Sequence, residues 1–160
     1  MLKVVSNTTP IISFLKLNRL DLLKDLYNQI YIPHAVYQEI EAGKTKEYYK
    51  DLAKISWVNI VEINDEHAIK YFLDLDLGEA EAIVLATELK ADLIIIDEKL
   101  GRFHAKHANL KLTGTIGVLL KAKTKGLIAE LKPLLNQLTN NKVWISESLK
   151  NVILRKAGEL

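Results

Sequence analysis

The chain has 160 residues, 49 % of them hydrophobic and 26 % charged, with a net charge of +2 and no cysteine. That size suits one domain of about 100–200 residues, and the composition favours a packed core over disorder, so residues 1–160 read as a single domain. The missing cysteines exclude disulfides, thiolate metal sites and thiol nucleophiles. The start of the sequence shows no signal-peptide pattern, and no apolar run approaches the ~20 residues of a membrane helix, so a cytoplasmic protein without membrane contact is expected.

Val4-Val5 reads as a short strand, and Pro10 suits the first position of a helix that Thr9 would cap. Leu20, Leu22, Leu23, Leu26 and Tyr27 give the next helix its buried stripe. Residues 29–32 read as a strand closed by Pro33, which opens a helix ending near Gly43. A strand with imperfect alternation follows over 57–63, then a helix over 78–89. Leu93-Ile94-Ile95-Ile96 is a continuous apolar strand of the kind covered on both faces. Next come a helix over Lys99–His107, a short strand over 110–112 and two helices within 115–138. A last strand over 143–145 and a terminal helix capped by Ser146 complete the set. Strands alternating with helices predict an α/β fold in three layers, a mainly parallel central sheet with helices on both faces. Such sheets place ligands at the carboxyl ends of their strands.

Charge is unevenly distributed. From residue 99 to residue 129 there is no acid, while Lys99, Arg102, Lys106, Lys111, Lys121, Lys123 and Lys125 all fall there. A segment of one sign either attracts a polyanion or forms a solvated helix face.

The acids that draw attention lie at strand ends and helix starts. Asp97 follows the apolar strand, where a carboxylate projects above the sheet or caps the next helix. Glu98 beside it is ambiguous. Glu79 and Glu81 open the helix over 78–89, where the helix dipole favours acids in any case. Glu79 shares a face with Ala82, Ile83 and Ala86 and is the inward candidate, whereas Glu81 lines up partly with Glu88. Glu39 sits one step from the stripe of Val36 and Ile40. Asn7 follows the first strand and, with Thr9 as the expected cap, has no obvious local task.

These residues lie in Val4-Val5-Ser6-Asn7-Thr8-Thr9-Pro10, Val36-Tyr37-Gln38-Glu39-Ile40, Leu77-Gly78-Glu79-Ala80-Glu81-Ala82-Ile83, Ile94-Ile95-Ile96-Asp97-Glu98 and Thr113-Gly114-Thr115. In that order they resemble the PIN-domain proteins, most closely the uncharacterised subgroup related to VapC-type toxins. The resemblance covers nearly the whole chain. It implies an acidic pocket that binds Mg2+ or Mn2+ and hydrolyses RNA, with its four polar positions falling on Asn7, Glu39, Glu79 and Asp97. Thr113 and Thr115 match the hydroxyl-bearing segment beside the pocket. It also implies a small antitoxin partner and a homodimer.

Asn7 departs from the pattern, because most PIN domains carry aspartate there. An amide oxygen ligates a hard cation but adds no charge and takes no proton at neutral pH. The expected arrangement has Asn7, Glu79 and Asp97 holding the ion, with Glu39 orienting water or helping to bind a second ion. Thr115 would then hydrogen-bond the phosphate or a metal-bound water, and Lys99 and Arg102 would contact flanking phosphates. The rival reading is a nucleic-acid-binding or partner-binding domain catalytically weakened by Asn7. A phosphoacceptor enzyme fits poorly, since Asn7 is no nucleophile and no phosphate-cradling glycine loop is present.

Overall fold

The computed structural model describes residues 2–160. Among these, five strands form one sheet: β1 (Val4–Ser6), β2 (Ile30–Pro33), β3 (Val58–Val61), β4 (Leu93–Ile95) and β5 (Leu112–Thr113). The helices are α1 (Thr8–Lys16), α2 (Asp21–Tyr27), α3 (His34–Glu41), α4 (Leu77–Glu88), α5 (Lys99–His107), α6 (Thr115–Thr124), α7 (Lys132–Asn140) and α8 (Glu147–Lys156). Every strand pairing is parallel, in the order β3-β2-β1-β4-β5.

Side chains alternate across the pleat with a period of two. Val4, Ile30, Ile32, Val58 and Ile95 face a core with Phe14 of α1, Leu22 and Leu23 of α2, Val118 and Leu119 of α6, and Leu135 of α7. Val5, Ile94 and Ile96 face the other way, against Ala82, Ile83, Leu85 and Ala86 of α4 and Ala105 of α5. Helices on both faces of a parallel sheet make the three-layer α/β architecture that the strand–helix alternation predicts. Burial on both faces explains why β4 reads as an unbroken apolar run.

The strand order turns back between β1 and β4, since β2 and β3 lie on one side of β1 while β4 and β5 lie on the other. At such a switch point the chains leaving adjacent strands diverge and open a crevice. Asn7 leaves β1 at this point, and its N–H donates to the Ile95 carbonyl of β4 at 2.9 Å. Asp97 follows β4 along the same edge.

Three expectations need correction. Residues 143–145 form no strand. Val143 and Ile145 do turn toward the core while Trp144 is exposed, so the alternation is real, but no neighbouring strand offers them a ladder. The first helix begins at Thr8, so Asn7 and not Thr9 occupies its N-cap position. The strand expected over 110–112 lies at Leu112–Thr113, because Asn109 adopts a left-handed φ of 61° and Leu110 is still tied to the end of α5. Ser146 does cap α8, accepting the Leu149 N–H at 3.1 Å.

Candidate active site

Asn7 stands in the N-cap position of α1, yet its side chain makes no capping bond. The residue is 2 % exposed, and its Oδ1 has no hydrogen-bond partner. An unpaired buried acceptor costs about 1–3 kcal/mol, so its persistence asks for a ligand or a function. The adjacent Thr8 hydroxyl is likewise buried without a partner.

Glu79 lies in the first turn of α4 and is 6 % exposed. It forms a reciprocal cap with Asp76: Asp76 Oδ1 accepts the Glu79 N–H at 2.8 Å, and Glu79 Oε1 accepts the Asp76 N–H at 3.4 Å. Glu79 Oε2 is left buried and unpartnered. Burial, with Asp76 and Glu98 nearby, pushes the Glu79 carboxyl up to about 7.

Asp97 is half-buried, and Thr115 alone holds both of its oxygens. The Thr115 N–H donates to Oδ1 at 2.7 Å and its hydroxyl to Oδ2 at 2.6 Å. Asp97 therefore caps α6 from a distance, not the helix that follows it. Glu39 is exposed on α3, at the rim, with its carboxylate against Gly78. Partial desolvation and then Asp76 raise its proton affinity.

Each acid sits where a glycine leaves room. A Cβ at Gly78 would collide with Glu39 Oε2. One at Gly101 would come within 2.7 Å of Glu79 Oε2, and one at Gly114 within 2.7 Å of Asp97 Oδ1. These glycines stand at the starts of α4, α5 and α6, so three helix N-termini meet the three acids. Gly78→Ala tests the arrangement, because the obstructing atoms belong to a flexible side chain that can swing aside. The variant should fold with an unchanged or slightly raised Tm, as alanine favours helix. If Glu39 serves catalysis, displacing its carboxylate should lower cleavage by up to about 10²-fold, measured as kcat beside a melting curve.

Among the described residues, none of Glu39, Glu79 and Asp97 forms an ion pair. The negative charge at this edge is therefore uncompensated by side chains. A ready-made cage is also missing: no three histidine, aspartate or glutamate side chains among the described residues lie close enough to hold a metal ion. Glu39 and Glu79 adjoin through Gly78, while Asp97 lies with Thr115, Gly114 and Arg102. The unpartnered oxygens of Asn7 and Glu79 and the all-oxygen donor set nonetheless match a hard divalent cation in chemistry.

With this geometry in view, a family model described as PIN domain matches residues 3–159. The chain belongs to the PIN-domain family. No curated protein and no solved structure matches it. PIN domains are often nucleases and often use divalent metals. In this PIN domain the basic candidates border the same edge. Lys99 is exposed at the start of α5, and Arg102 is half-buried, donating from Nη1 to the Ile96 carbonyl at 3.0 Å. The Thr113 hydroxyl is accommodated by Gly117.

Glu81 accepts the Ala35 N–H at 3.1 Å and so ties α4 to the start of α3. Glu98 is exposed in the N-cap position of α5 and makes no capping bond. Asp76 is the residue that sequence reasoning passed over. Its spacing to Glu79 is that of a capping box, a signal legible in the sequence.

Proposed function

We propose that this PIN domain is a ribonuclease dependent on Mg2+ or Mn2+. The strongest support is the pair of buried, unpartnered oxygens, Asn7 Oδ1 and Glu79 Oε2, at the edge of the sheet that also carries Asp97. Asn7, Glu79 and Asp97 would hold the cation, which when bound supplies Lewis-acid polarisation of the phosphodiester and a more acidic water. Thr115 fixes the Asp97 carboxylate through both oxygens, which favours a positioning role over the phosphate contact first expected of it. Glu39, on the rim with raised proton affinity, orients the attacking water and accepts its proton. Lys99 and Arg102 contact flanking phosphates, which set register without reading sequence.

Incubation with a mixed RNA panel tests this reading. Cleavage should appear with Mn2+ and vanish with chelator, and none under excess Mn2+ would refute it. Asn7→Asp adds a charged ligand, so half-maximal cleavage should move to lower Mg2+. A titration of rate against Mg2+ checks that shift.

A second reading, nucleic-acid or partner binding without cleavage, is favoured by the neutral Asn7 and by the lack of three convergent acids among the described residues. RNA gel shifts without metal, combined with no cleavage, would select it. On the toxin–antitoxin reading, a small antitoxin would dock beside Asp97. A hollow of about 290 Å³ there includes Thr115, Ile116, Trp144 and Leu149 in its lining. The homodimer reading draws on α8. Its Ile153 and Leu154 pack inward, but Leu149 and Val152 stay exposed. No helix among the described residues is long and apolar enough to cross a membrane.

A further inference from the structure

The basic segment carries an aromatic feature that the nuclease chemistry leaves unused. Phe103 on α5 is 53 % exposed, although it is one of only three phenylalanines in the chain. His107 covers one side of its ring, with centroids 4.1 Å apart and planes tilted by 38°. The His107 ring is itself anchored, its Nδ1 lying 2.9 Å from the Phe103 carbonyl. His104 meets the Phe103 ring edge-on at 5.5 Å, and His104 is in turn held by Asp74 at 2.9 Å. The aromatic ring is thus braced by two histidine rings.

A hollow of about 390 Å³ adjoins it, lined by Lys99, Arg102, Phe103, Lys106 and Leu112. Phe103 lends its exposed ring to this hollow, and His107 is not among the residues that line it. Three cations and one braced aromatic face make a combination suited to a strand with phosphates and an unpaired base. Arg102 links the hollow to the proposed site, because its guanidinium approaches Gly114, the residue against Asp97 Oδ1.

We infer that Phe103 is a stacking platform for one unpaired base of a single-stranded RNA, with Lys99, Arg102 and Lys106 on the neighbouring phosphates. This rests on the ribonuclease reading and adds to it a residue that seats the substrate. Duplex RNA keeps its bases stacked on one another and offers none to the platform.

The full chain, held in chelator so that nothing is cleaved, is titrated into a labelled single-stranded RNA and followed by anisotropy. Phe103→Ala should weaken binding about tenfold or more, as expected for loss of one base stack, while Phe103→Tyr should bind like the parent. The salt dependence should separate the roles. Phe103→Ala should leave the slope of log K against log salt unchanged, and Lys106→Ala should make it shallower by about one. Binding to the same sequence as a duplex should not depend on Phe103. Equal affinity of the parent and Phe103→Ala for the single strand would overturn the inference, as would a change of oligomeric state caused by Phe103→Ala in sedimentation. If the parent still cleaves RNA with Mn2+ in those cases, the nuclease reading stands while the platform falls. If the parent neither binds nor cleaves RNA, both fall together.

Discussion

Asp97→Asn should lower metal-dependent RNA cleavage by about 10³-fold or more, equivalent to about 4 kcal/mol of transition-state stabilisation. The expectation follows from charge. With Asn7 already neutral, Asp97 and Glu79 are the two carboxylates among the proposed ligands, so removing one halves the charge available to a cation. The fold should survive, because an asparagine Oδ1 can still accept the Thr115 N–H that Asp97 now takes at 2.7 Å. The second bond, from the Thr115 hydroxyl at 2.6 Å, would reverse, with the asparagine amide N–H donating to the hydroxyl oxygen. A melting curve near the parent's, together with abolished cleavage, is the expected pair of results. Parent-like cleavage would remove Asp97 from the mechanism.

Glu79→Gln should stabilise the metal-free protein above neutral pH. The folded Glu79 carboxyl lies at about 7, against an ordinary value of 4.5. Below pH ~4.5 it is protonated in both folded and unfolded chains and makes no difference to stability. As pH rises toward 7 the unfolded chain releases this proton while the folded chain retains it, so stability falls. Above the folded value the loss levels off, on the order of 3 kcal/mol. Glutamine keeps the shape and carries no charge, so the two proteins should diverge between pH ~4.5 and ~7, with the variant more stable. Urea unfolding in chelator across that range checks the prediction, and parallel profiles would refute it. Added Mn2+ should then raise the stability of the parent by mass action and leave the variant nearly unmoved.

Much of the architecture was legible because burial dictates pattern. The apolar run at β4 announced a central strand, and the pattern over 78–89 announced the helix α4. The inward placement of Glu79 followed from its share of a face with Ala82, Ile83 and Ala86, and the residue is buried. Pairing was not legible. Val143 and Ile145 turn inward as a strand's residues would, but a ladder needs a neighbour that local sequence does not encode. Position along the helix misled at Asn7. It takes the N-cap place that Thr9 was expected to hold, yet its side-chain oxygen is unspent, so the lack of a local task proved real for a different reason. The attachment of Asp97 to Thr115 spans 18 positions, and no periodicity within one element reports it. The matching of Glu39, Glu79 and Asp97 to Gly78, Gly101 and Gly114 is a tertiary feature too, visible only once three helix starts share an edge.

Paramagnetic broadening by Mn2+ tests the metal site most directly. In a spectrum of the labelled full chain, substoichiometric Mn2+ should first erase the amide signals around Asn7, Glu79 and Asp97. Intact signals there, or broadening centred instead on the carboxylates of Asp74 or Glu41, would contradict a cation site at the junction of β1 and β4.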